Sequence, residues 1–149
     1  MSAAEELIFR PLKDGEMGLV DGLVANAVVD DEKSECWGVA PGVMPVNAGE
    51  SWGMFLQGGL TGAAWFRGPQ SGVVEITALV LPRRRWRMGL MIWMAGEIAK
   101  EAKGRGATEL LVRLKQCGPS LAEEMEFALF TGPDPTADGY PSGEWRRQL

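Results

Sequence analysis

Between Val73 and Leu81 the chain reads Val-Val-Glu-Ile-Thr-Ala-Leu-Val-Leu, and Pro82 then stops the run. An almost continuous apolar stretch of this length predicts a central strand buried on both faces. Such a strand needs partners on both edges and helices over its faces, which commits the chain to an α/β architecture. The next segment narrows the choice. From Met88 to Lys103, Leu90, Met91, Met94, Ile98 and Ala102 recur at helical spacing, while Glu97, Lys100, Glu101 and Lys103 fall on the opposite side. Gly104-Arg105-Gly106 is a glycine-rich C-terminal stop, and Glu109 to Leu114 predicts another strand. Strand, helix and strand in this order imply parallel neighbours joined by a right-handed crossover.

The flanking sequence supplies the rest of one domain spanning residues 1–149. Leu7 to Leu12 predicts a first strand, with Pro11 tolerated at its end or on an edge. Met17, Val20, Leu23, Val24, Ala27 and Val28 then give a helix with one apolar face. Ser51 to Gln57 and Leu60 to Arg67 predict a hairpin turning at Gly58-Gly59, and Gly68 to Gly72 predicts the next turn. Residues 36–50 form a Gly-, Pro- and Val-rich loop around Trp37 that borders a substrate pocket, covers the core or makes an oligomer contact. Ser120 as N-cap and Glu123 three residues later form a capping-box pattern for a last helix, whose buried side is Leu121, Met125, Ala128 and Leu129. Thr131-Gly132-Pro133 ends that helix, and Glu144 to Leu149 predicts a closing strand.

Absent residues exclude whole classes of chemistry. The chain has no histidine, so Ser-His catalysis and histidine metal sites are ruled out, and no metal site is expected. Cys36 and Cys117 fit neither a zinc knuckle nor a redox CxxC, and they point to a reducing, cytoplasmic setting. The stretch from Met88 to Ala95 is far short of the roughly 20 apolar residues that span a bilayer, so no membrane partner is expected. A net charge of -5 argues against nucleic acid, so any basic site must be local.

One local basic site exists. Arg83, Arg84, Arg85 and Arg87 lie between the buried strand and the long helix, where unpaired N–H groups and a positive helix end face outward. They suit a phosphate or pyrophosphate, or else form a solvated cluster or a partner patch. Glu75 is a carboxylate set in a mostly apolar central strand, or a hairpin-end glutamate that simply reaches water. By period-2 alternation it shares a side with Thr77. Asp30, Asp31 and Glu32 read as a solvated helix end and loop or a cation site, and with Glu35 they form an acidic rim compatible with a cationic amine. Six tryptophans and eight methionines exceed what one small core needs, so exposed ones would mark a surface for a second copy or an assembly partner.

The strand Val73 to Pro82, the arginine-rich turn, the helix and Gly106-Ala-Thr-Glu-Leu-Leu-Val112 together resemble the core of the GNAT acyltransferase superfamily. The likeness extends over almost the whole chain. It implies an α+β fold, with a mixed, mostly antiparallel central sheet, one splayed parallel strand pair and flanking helices. It also implies acetyl-CoA as cosubstrate and a small-molecule or peptide amine as acceptor. The coenzyme would lie along Leu79, Val80 and Leu81, with its pyrophosphate on Arg84, Arg85, Trp86, Arg87, Met88, Gly89, Leu90 and Met91. The family's loop reads Arg/Gln-x-x-Gly-x-Gly/Ala. Aligned from Gly106, only Gly89 matches; aligned from Pro82, Arg85 takes the first position, and Met88 and Leu90 replace the glycines. The resemblance implies Glu75 as base. It supplies no acid, because Phe127 and Phe130 stand where the family carries a tyrosine, which leaves Tyr140 or Cys117. The degenerate loop also fits a catalytically silent GNAT-like subunit, such as those found among phage virion or accessory proteins, and then the location would be the virion.

Overall fold

In the computed structural model the described residues are 6–25, 36–37, 50–81, 89–114, 119–136, 138 and 142–149. Among the described residues there are seven strands: β1 (Leu7–Pro11), β2 (Cys36–Trp37), β3 (Glu50–Leu56), β4 (Gly59–Gln70), β5 (Val73–Val80), β6 (Glu109–Leu114) and β7 (Gly143–Gln148). The helices are α1 (Met17–Ala25), α2 (Leu90–Gly104) and α3 (Pro119–Phe127). The sheet order is β1-β3-β4-β5-β6-β7, with β2 added to β5. All pairings are antiparallel except β5 with β6. The apolar run that opened the sequence reading is therefore the central strand, and α2 is the crossover to its parallel partner.

Both hairpins that deliver β5 turn on a pair of positive-φ residues. Gln57 (φ 54) and Gly58 (φ 82) join β3 to β4, and Ser71 (φ 53) and Gly72 (φ 79) join β4 to β5. Two positive φ values in a two-residue loop match the strands' right-handed twist. The turns thus fall one residue earlier than Gly58-Gly59 and at the very end of Gly68–Gly72. Gly68 to Gln70 belong to β4, where the register shifts between Arg67 and Gln70.

The main core lies between the sheet and α2 with α3. Leu90, Met91, Met94, Ile98 and Ala102 of α2 all face it, as their spacing requires, against Phe66, Val74, Ile76, Leu110, Val112 and Trp145. A smaller cluster on the opposite face joins Val20 and Val24 of α1 to Ala63, Trp65, Ala78 and Val80. Trp52, Trp65, Trp145, Met54, Met91, Met94 and Met125 are buried core residues. The large apolar side chains exposed among the described residues are instead Ile8, Leu19, Ile92, Phe127 and Leu129.

Two helix ends show how the chain turns back onto the sheet. At the end of α2 the Gly106 N–H bonds the Lys103 carbonyl and the Ala107 N–H bonds the Ala102 carbonyl, with Gly106 at φ 88. This is a Schellman cap on the residue type that best tolerates it. After α3 the same pattern recurs without a glycine. The Leu129 N–H bonds Glu126, the Phe130 N–H bonds Met125, and Leu129 takes φ 69. Leu129 is therefore 69% exposed rather than buried, and Phe130 enters the core in its place. α3 also begins at Pro119, a residue suited to a first turn, so Ser120 lies inside the helix rather than at its cap.

Candidate functional site

The geometry of interest is set by one strand that changes partners halfway. β6 pairs with β5 from Val73↔Glu109 to Ile76↔Val112, and there the parallel ladder stops. β5 continues for four residues and β6 for two. Within β5 the alternation of faces also breaks at this point. Ile76 lies in the main core and Ala78 in the α1 cluster, although strict alternation would put them on one side. The register against β4 shifts in the same place, from Phe66↔Ile76 to Trp65↔Ala78, which leaves Thr77 as the extra residue of a bulge. The Thr77 hydroxyl donates to the Trp65 carbonyl at 3.2 Å across that bulge.

Beneath the fork, on the α2 side, the parted strands leave a small apolar pocket of about 20 Å³. Its lining is wholly apolar: Ile76 and Leu79 of β5, Val112 and Leu114 of β6, Met91, Ala95 and Ile98 of α2, then Met125 and Phe130. Alternate residues of the same strands make the other face polar. There Arg67, Glu75, Leu111, Arg113 and Arg146 line an open groove beside Gly68 to Ser71. Five contacts cross four strands in a zigzag. Arg67 meets Glu75 at 3.2 Å, and Glu75 meets Arg113 at 3.6 Å. Arg113 meets Glu144 at 3.3 Å, Glu144 meets Arg146 at 2.8 Å, and Arg146 pairs with Glu109. Hydrogen bonds from Arg146 and Arg113 hold the Glu144 carboxyl below its usual range.

The site residues expected from sequence separate into three groups. Leu79, Val80 and Leu81 lie where β5 has parted from β6, and all three are buried. Gly89 caps the N-terminus of α2 at φ 72, and Leu90 and Met91 occupy its first turn with their side chains in the core. A Cβ at Gly89 would meet nothing within 4 Å, so the backbone is open there and positive φ is what calls for glycine. Arg84, Arg85, Trp86, Arg87, Met88, Cys117, Tyr140 and the rim Asp30, Asp31, Glu32 and Glu35 lie outside the described residues. Glu75 sits one residue before the fork with its side chain 18% exposed. Its surroundings are the two guanidinium groups of Arg67 and Arg113, not the apolar setting expected of its strand.

Sequence reading missed one component. Residues 36–50 were expected to be loop throughout, yet Cys36 and Trp37 form β2 and pair antiparallel with Val80 and Leu79. Two residues offer too short a pattern for periodicity to register. Among the described residues, no cluster of His, Cys, Asp or Glu side chains is placed to hold a metal ion, and no helix is long and apolar enough to cross a membrane.

Neither a family model nor a curated protein matches this sequence. Solved structures do. The GNAT domain of S. lividans PAT superposes with a TM-score of 0.70 at 12% identity, covering 100% of this chain and 99% of that one. The fold is that of the GNAT superfamily. The ribosomal-protein-S18-alanine N-acetyltransferase of Escherichia coli gives 0.69 at 11% identity, over 97% of this chain and 94% of the other. A Bacillus subtilis acetyltransferase in complex with CoA gives 0.66 at 14% identity, over 97% and 99%. The sheet of this chain is thus a GNAT sheet, mostly antiparallel with one parallel pair and helices on its faces. At these identities the likeness carries the fold, and the chemistry must be argued from the fork itself.

Proposed function

We propose that this chain is an N-acyltransferase that moves an acetyl group from acetyl-CoA to an amine. The observation that carries the reading is the fork. Two parallel strands part at Ile76↔Val112 over an apolar cleft, and a charged groove lies back to back with it on the opposite face. The gap between the parted strands would have to widen to take the pantetheine arm of a coenzyme A thioester, which is extended and largely uncharged. Leu79, Val112, Leu114 and Met125 would line that arm. The α2 N-terminus at Gly89 would face the pyrophosphate with backbone N–H groups. On the other face, a small-molecule or peptide amine reaches the fork past Glu75.

Acyl transfer then needs positioning more than covalent machinery. The amine nitrogen attacks the thioester carbonyl, a C–N bond forms, and the C–S bond breaks as sulfur leaves with the electron pair. Glu75 takes the proton that the ammonium must lose. The thiolate needs a proton from an acid, and Tyr140 is the candidate in this chain. A reducing, cytoplasmic setting suits this reading, since the two cysteines form no disulfide framework.

Thermal unfolding with acetyl-CoA tests the donor site. Ligand at about 100 times its Kd stabilises by roughly 2.7 kcal/mol, so a clear rise in Tm is expected. No shift at millimolar acetyl-CoA sinks the enzyme. Given binding, Glu75→Gln should leave Kd unchanged and lower turnover on a panel of amines at least tenfold; equal turnover removes Glu75 from the mechanism. A second reading, a catalytically silent subunit of a phage virion or other assembly, is favoured by Phe127 and Leu129, which lie 64% and 69% exposed on adjoining turns.

A further inference from the structure

A strand has two hydrogen-bonding edges. β4 takes one edge of β5 along its length, from Gln70↔Val73 to Ala63↔Val80. β6 takes the other only as far as Ile76. The edge that β6 gives up is not left bare: Trp37 pairs with Leu79, and Cys36 pairs with Val80. The chain has therefore added a short strand of its own to the one stretch of β5 that the fork opens. An extended ligand carrying amide groups would use that same stretch, adding to the sheet edge as peptides do in β-augmentation.

From this pairing we infer that Cys36–Trp37 is a built-in competitor for the donor site, and that acetyl-CoA binds only when this strand lifts off β5. The inference rests on the acetyl-CoA reading above. Two positions of pairing make the strand displaceable, because each ladder hydrogen bond contributes only modestly once its exchange with water is counted. The strand on the far edge is held by pairs along the whole of β5, so ligand entry leaves it in place. The apparent Kd is raised by the fraction of molecules in which Cys36–Trp37 is released.

A reversible staple tests the competition. The register makes Cys36 and Val80 cross-strand partners, so Val80→Cys in a Cys117→Ser background can be oxidised to lock β2 onto β5. Isothermal titration with acetyl-CoA should show at least tenfold weaker binding in the oxidised form, restored by reduction. Hydrogen exchange of the unmodified protein provides a check that needs no core substitution. With acetyl-CoA bound, the peptide holding Cys36–Trp37 should exchange faster, while Val73 to Val80 stays protected. Equal affinity of the oxidised and reduced forms would overturn the competition and leave the acetyl-CoA reading standing. Stronger protection of Cys36–Trp37 with ligand would also overturn it, since the strand would then be part of the site. Absence of binding in the unmodified, oxidised and reduced proteins alike removes both readings.

Discussion

Phe66 and Arg67 are neighbours on one strand and live in different solvents. Phe66 is fully buried against Trp52, with ring centroids 5.5 Å apart, on the face covered by α2 and α3. Arg67 points the other way, 57% exposed, at the start of the ion-pair zigzag. The same contrast runs along β5 and β6, where Ile76 and Val112 line the apolar cleft while Glu75 and Arg113 line the groove. One face holds the main core of the domain. The other carries a smaller core under α1 and, around Glu75, an open charged groove. At the fork the two faces meet, and the proposed two-substrate reaction would need such a place.

The largest expected effect tests this division directly. Phe66→Ala should cost about 3–5 kcal/mol in urea unfolding, as removal of a buried aromatic ring does. Arg67→Ala, one residue away, should stay within about 0.5 kcal/mol of wild type. Comparable losses at the two positions would break the comparison. Gly132→Ala comes next. A Cβ there would stand 2.5 Å from the Trp145 ring, so overpacking should cost about 1–3 kcal/mol. A cost near zero would mean that Trp145 moves freely.

Arg105→Ala gives a smaller effect with a pH signature. Arg105 binds both Glu50 and Glu101 and lies over the Phe66 ring, 5.4 Å from its centroid, so it ties α2 to β3 and β4. Its hydrogen bond holds the Glu50 carboxyl below the usual 4.5. A depressed carboxyl contributes stability that is complete above the unfolded value and is lost as pH falls through the folded one. The substitution should therefore cost about 1 kcal/mol at neutral pH and flatten the loss of stability below pH about 4.5. An unchanged acid limb would show that Glu50 gains nothing from Arg105. Glu16, held at about 2 chiefly by Arg10, should keep titrating between about 4.5 and 2 in that variant. The smallest effect is a gain. Leu129→Gly relieves a leucine at φ 69 and should stabilise by about 0.5 kcal/mol, the relief exceeding glycine's added chain entropy. A net loss would mean that the exposed leucine makes a contact of its own.

Much of this was legible before the fold was known, and the reasons are local. Val73 to Leu81 announced a central strand because burial on both faces demands an unbroken apolar run. The α2 stripe and its glycine stop were equally plain, since a helix repeats and its cap needs positive φ. Leu129 was misplaced because periodicity counts apolar residues without knowing where the helix ends. The setting of Glu75 was misjudged for a different reason. Arg67 and Arg113 come from the strands on either side, and cross-strand neighbours are fixed by register, which a linear reading does not contain.

By itself, then, the sequence determined the strand, the crossover helix, the parallel pairing and the GNAT-like order of elements, all of which follow from period, turn chemistry and handedness. Only the tertiary structure decided where β5 and β6 part, which side chains share each face of that fork, and that Cys36–Trp37 takes the edge left open. Those are relations between segments far apart in the chain. They are set by how sheet twist, a one-residue bulge at Thr77 and the packing of α2 are satisfied together, and no single stretch of sequence holds that information.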